Sequence, residues 1–105
     1  MTKSRDSFVD YIRNTLAQPN TSRIHLEGVE YALRVLGRGE VIAFECAGEI
    51  YLLEYERLGP AVYPDSLRRL DKAELGQQEA SDRLRALTMV WRGLYGNDDL
   101  QFITS

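Results

Sequence analysis

The chain is poor in the residues that staple or load a small protein. One cysteine in 105 residues excludes an intrachain disulfide framework and fits a reducing compartment. One histidine beside that single cysteine leaves no metal-ligand spacing, since a zinc site needs about four such ligands. No apolar run approaches the roughly 18 residues of a membrane span. The longest are Val41-Ile42-Ala43-Phe44 and Ile50-Tyr51-Leu52-Leu53. Met1-Thr2-Lys3-Ser4-Arg5-Asp6 is followed by no apolar stretch, so a secretory leader is not expected and the cytoplasm is the expected location. There is no basic excess either. The net charge is −3 and the pI near 5.1, so the whole chain offers no footprint for nucleic acid.

What remains is an ordinary globular composition, 44% hydrophobic and 28% charged, which argues against disorder. At 12.0 kDa, folding would hide roughly two thirds of the chain's surface. One domain spanning residues 1–105 is expected. The charge is uneven. Between Glu27 and Glu56 seven glutamates face only Arg34 and Arg38, a local balance of −5. From Arg57 to Arg92 the balance is +2, and eleven of the thirteen basic residues in the chain are arginine.

Ser4 to Gln18 reads as a helix. Ser4 or Ser7 is the expected cap, Phe8, Ile12 and Leu16 form one stripe with Val9 and Tyr11 beside it, and Pro19-Asn20 is the stop. Val29 to Leu36 fits either a helix or a strand. Register favours the strand. With Arg38-Gly39 and Ala47-Gly48 as tight turns, Tyr31 faces Cys46, Leu33 faces Phe44 and Val35 faces Ile42. Across the second turn Ile42 faces Leu53, Phe44 faces Tyr51 and Glu40 faces Tyr55. Tyr31, Leu33, Val35, Ile42, Phe44, Cys46, Tyr51, Leu53 and Tyr55, nine residues, then share a face, as a meander with one buried side requires. Ile24 and Leu26 extend the first strand, with Gly28 as a bulge or bend. The opposite face carries Ala32, Leu36, Val41, Ala43, Ile50 and Leu52 with Arg34, Glu45 and Glu54. That mixture calls for a covering helix or a contact with another molecule. Large apolar patches rarely stay wet, so a homodimer through this face is expected.

Asp65 or Ser66 is the expected cap of a helix to Leu75. Gly76 is the natural break before a second helix, Glu79 to Tyr95, although one continuous helix fits the spacing as well. Gly96-Asn97-Asp98 ends it, and Leu100 to Thr104 is a short last strand. The expected fold is α+β: an N-terminal helix, an antiparallel meander of three to five strands, and C-terminal helices packed on one face.

Catalytic chemistry is hard to build from these residues. His25 and Cys46 make a nucleophile pair only on paper, because Cys46 falls on the apolar face. Gly37-Arg38-Gly39 precedes a glutamate and a strand, not the helix N-terminus a phosphate loop needs. Glu45 and Glu54 near Arg34 suggest a surface ion cluster. Arg68, Arg69, Arg83, Arg85 and Arg92 would form a nucleic-acid face if contiguous. The helix that should read bases, however, begins Glu79-Ala80-Ser81-Asp82, the wrong sign for phosphates.

The layout of helix, meander and helices in a small acidic chain resembles type III secretion chaperones, and it is also common among immunity proteins and phage-encoded inhibitors. The expected function is therefore non-catalytic protein binding, as an inhibitor, immunity-type protein or adaptor acting through its sheet surface, with no cofactor and no metal. The alternatives are a secretion-chaperone-like dimer holding an effector segment, a nucleic-acid regulator using the arginine-bearing helices, and a small enzyme. Six tyrosines favour an interface. The expected contact residues are Arg34, Glu45, Glu49, Glu54, Tyr55 and Glu56, facing a basic protein partner.

Overall fold

A computed structural model describes residues 3–57, 59–71, 73–96 and 100–104, with side chains from residue 7 onward. Helix α1 spans Lys3–Leu16. Four antiparallel strands follow: β1 Ser22–Leu26, β2 Val29–Leu36, β3 Val41–Cys46 and β4 Glu49–Glu56. Two short strands, β5 Ala61–Val62 and β6 Arg68–Arg69, share the other edge of β4. Helix α2 spans Gln77–Tyr95, and β7, Gln101–Phe102, closes the order by pairing parallel to β5. The sheet is therefore mixed and seven-stranded, larger than the three to five antiparallel strands expected.

The meander forms in the expected register: Tyr31 opposite Cys46, Leu33 opposite Phe44, Val35 opposite Ile42, then Ile42 opposite Leu53 and Phe44 opposite Tyr51. Between β2 and β3 the turn is four residues, 37–40, with positive φ at Gly37 and Gly39, not the two-residue Arg38-Gly39 turn expected. The other two turns have two residues. Ala47 and Gly48 have φ of 51° and 83°, and Glu27 and Gly28 have 52° and 80°. Positive φ at both positions matches the right-handed twist of the flanking strands. Gly28 is thus a turn residue and not a bulge, and β1 is a separate strand from β2.

Side chains alternate across the sheet, and each face has its own helix. Ala86, Leu87, Val90 and Trp91 of α2 pack on Leu33, Ile42, Phe44, Tyr51 and Leu53. Ile12 and Leu16 of α1 pack on Ala32, Leu36, Ala43, Ile50 and Leu52. Burying Ile12 and Leu16, at 1% and 2% exposure, contributes about 1.5–3 kcal/mol each before entropy. The helices therefore lie on both faces, not one. Within a single chain α1 covers the mixed face that had suggested self-association.

Arg34 is part of this fastening. Its guanidinium donates to Asn20 Oδ1 at 2.7 Å and Gln18 Oε1 at 3.0 Å, tying β2 to the loop after α1. The helix begins at Lys3, ahead of Ser4 and Ser7, so neither occupies the cap position.

Among the described residues no helix runs from Ser66 to Leu75. A 3-10 turn at Pro64–Ser66 leads into β6. Leu67 packs in the α2-side core and Leu70 in the α1-side core. A helix would point residues three apart to the same side; extended backbone sends these two to opposite faces. Ser66 Oγ accepts the Glu54 N–H at 2.8 Å, so the gap between β5 and β6 leaves that group of β4 satisfied. One C-terminal helix, α2, takes the place of two. It ends at Gly96, whose N–H reaches the Arg92 carbonyl; Asn97 and Asp98 lie outside the described residues.

Candidate partner-binding site

β4 leaves the sheet through Glu54, Tyr55 and Glu56, and alternation sends Tyr55 to the α2 side and its two acidic neighbours to the α1 side. The turn before β3 meets them. The Tyr55 N–H donates to the Glu40 carbonyl at 2.8 Å, which holds Glu40 beside the exit. Tyr63, just after β5, donates its hydroxyl to Glu56 Oε2 at 2.6 Å. Glu40, Tyr55, Glu56 and Tyr63 line a hollow of about 380 Å³ with Arg38, Gly39 and Arg57. Its floor is fixed by Arg57, which donates to the Arg38 carbonyl at 3.1 Å. A Cβ at Gly39, where φ is +90°, would meet the Arg57 guanidinium at 2.8 Å, so the close stacking needs glycine there.

Tyr55 is half-buried and backed by aromatics. Its ring centroid lies 5.9 Å from that of Trp91, and Trp91 lies 4.5 Å from Tyr95. Burial pushes the Tyr55 hydroxyl above its ordinary range, with Tyr95 adding and Arg57 opposing. The Tyr63 hydroxyl is raised chiefly by its bond to the Glu56 carboxylate. The hollow therefore joins neutral phenols to the carboxylates of Glu40 and Glu56, with Glu54 next along β4. Aromatic faces and carboxylates together suit a cationic side chain.

The structure groups Glu54, Tyr55 and Glu56 and disperses the other three expected contacts. Arg34 is held by the α1 loop. Glu45 lies four residues along β3 from Val41, the partner of Glu54, or about 13 Å away, and lines another hollow with Arg13 and Arg23. Glu49 pairs with Arg69 at 2.7 Å. Tyr63, Arg38 and Arg57 belong to the site and were not anticipated. Glu40 was placed opposite Tyr55 by register, which was the available signal.

The arginines proposed as one face are divided. Arg69 pairs with Glu49, Asp71 and Glu79. Arg83 turns onto the sheet, where its Nε donates to Tyr51 Oη at 3.1 Å and its guanidinium lies 5.6 Å from the ring centroid. Arg68 lines a hollow beside α1, and Arg85 is 71% exposed.

His25 and Cys46 lie on opposite faces. His25 is exposed on β1, whereas Cys46 is 4% exposed in the α2-side core. Burial pushes the thiol up, with nearby Arg83 and a hydrogen bond from Tyr31 opposing. A protonated, enclosed thiol is a poor nucleophile. A thiol reagent is expected to label Cys46 slowly in the folded protein and fast in denaturant; rapid native labelling would place the sulfur at the surface.

Tyr31, Tyr51 and Tyr55 are raised by burial as well. In each group the folded state holds its proton more tightly than the unfolded chain does. The associated stability is whole below the ordinary thiol value of 9.0 and is lost as pH rises through it and through the ordinary phenol value of 10.0. Urea midpoints are expected to fall across that window. A flat profile would mean that these groups are hydrated in the native state.

Among the described residues no three His, Cys, Asp or Glu side chains converge as metal ligands would, and no helix is long and apolar enough to cross a membrane. No protein family, curated protein or solved structure matches the chain.

Proposed function

We propose that the chain is a non-catalytic, cytoplasmic protein-binding module, of the inhibitor or adaptor kind, that receives a basic segment of a protein partner beside Tyr55. The observation that carries this is the grouping of Glu40 and Glu56 with the half-buried Tyr55 and Tyr63 at an open hollow, with Glu54 close enough to act on the Tyr63 hydroxyl. The Arg57 guanidinium lies over Gly39, and Glu40 and Glu56 share the lining with it and with Arg38. An extended segment that offers a lysine or arginine to the carboxylates, and a carbonyl to Arg38, matches both signs. The excess of glutamate between Glu27 and Glu56 draws such a segment in from a distance. Binding here needs no cofactor.

The test is selection from a displayed random-peptide library on the immobilised full chain. Peptides recovered are expected to carry Lys or Arg beside aromatic or aliphatic residues, and to be lost on Glu54→Lys with Glu56→Lys. Recovery of acidic peptides, or of basic ones indifferent to that double substitution, would overturn the proposal.

A further inference from the structure

A second surface lies along the flank of α1, on the other side of the Glu40 turn. Phe8 and Tyr11 are 48% and 55% exposed. They are three residues apart and so stand together on one flank of the helix. Beside them a hollow of about 320 Å³ opens between α1 and the sheet, floored by Leu36, Val41 and Leu52. Protruding aromatics therefore border an apolar depression on the same surface. The margins of the depression differ in sign. Glu40 stands at the β3 side and Arg68 at the β6 side, two strand spacings across the sheet and three residues along it, or about 14 Å apart.

We infer that the occupant of this depression is a second copy of the chain, in a twofold dimer. In a twofold interface each residue contacts the copy's counterpart of its own partner, so a surface must be complementary to itself. This one is. An axis through its middle sets the aromatic flank of one protomer into the depression of the other. The same axis places Glu40 of each protomer by Arg68 of its mate. A basic segment would be repelled at the Arg68 margin and an acidic one at Glu40; the surface's own copy satisfies both. The interface uses only the Leu36, Val41 and Leu52 part of the strand face expected from the sequence, because α1 covers Ala43 and Ile50 and supplies contacts of its own. It shares Glu40 with the Tyr55 hollow, which neither Tyr11 nor Arg68 lines.

Sedimentation equilibrium over a concentration series tests this. The apparent mass is expected to rise from 12.0 kDa toward twice that value. Tyr11→Asp, at an exposed position, is expected to keep the circular dichroism spectrum and weaken dimerisation at least about tenfold. Arg68→Glu alone is expected to weaken it by roughly tenfold, and adding Glu40→Arg to restore it, because the two signs are then exchanged together. A chain that stays at 12.0 kDa into the high micromolar range overturns the inference. So does a dimer indifferent to Tyr11→Asp, or a double variant no tighter than Arg68→Glu. Peptide binding at the Tyr55 hollow, read on Glu54→Lys with Glu56→Lys, is scored separately, so either proposal can fail alone.

Discussion

Trp91→Ala is expected to destabilise the protein by about 3–5 kcal/mol, as large-to-small changes at buried aromatics do. Trp91 is 5% exposed and sits between the rings of Tyr55 and Tyr95, so its removal opens a cavity where α2 meets the end of the sheet. Trp91→Phe is expected to behave differently. The indole Nε1 is buried without a hydrogen-bond partner among the described residues, and such a group costs about 1–3 kcal/mol in the native state. Phenylalanine loses part of the packing but also loses that unpaired donor, so its net cost should be about 1 kcal/mol or less. Urea unfolding followed by far-ultraviolet circular dichroism measures both, because Trp91 is the chain's one tryptophan and its fluorescence vanishes with it. A phenylalanine variant as unstable as the alanine one would mean that Nε1 is paired in the native protein.

Arg83→Glu should be the most damaging surface-facing charge reversal. Arg83 is half-buried against Tyr51, which is fully enclosed and whose hydroxyl donates to Glu79 Oε2 at 2.7 Å. The substitution removes the Arg83 donor to that hydroxyl and sets a second carboxylate near Glu79. Hydrogen bonds to charged groups contribute about 1.5–3 kcal/mol, so a loss of roughly 2–3 kcal/mol is expected in the urea midpoint. Arg85→Glu, at a largely exposed side chain paired loosely with Asp82 at 3.7 Å, should change stability by less than about 1 kcal/mol. Equal effects at the two positions would show that Arg83 points to solvent. For this reason Arg85→Glu, and not Arg83→Glu, is the proper control in binding experiments.

The meander was legible because local rules agree there: Ala47-Gly48 fixes one register, and apolar alternation in Tyr31–Val35, Ile42–Cys46 and Tyr51–Tyr55 fits no other. The segment after Pro64 was misread because Leu67 and Leu70 are spaced for a helix. Only the two separate cores explain why the chain runs extended there. The parallel pairing of Gln101 with Ala61 joins residues forty apart and has no local signal. The candidate site was legible in part for the same reason. Glu54, Tyr55 and Glu56 are neighbours in sequence and stay neighbours in space. Glu49 lies close to them along the chain, but it sits at the far end of β4 and is claimed by Arg69, twenty residues on. Arg34 looked like an exposed ion-pair partner until the loop after α1 folded over it.

The proposed function is tested most directly by the association rate of a selected lysine- or arginine-bearing peptide, measured against salt. Long-range attraction acts mainly on this rate, and it weakens as the Debye length falls from about 10 Å at 0.1 M to about 3 Å at 1 M. Glu54→Lys with Glu56→Lys is expected to slow association several-fold at low salt and much less at high salt, while Arg85→Glu leaves the rate near that of the native chain. If Arg85→Glu abolishes binding and the glutamate pair changes neither the rate nor its salt dependence, the interface lies on α2, and the assignment to the Tyr55 hollow is wrong.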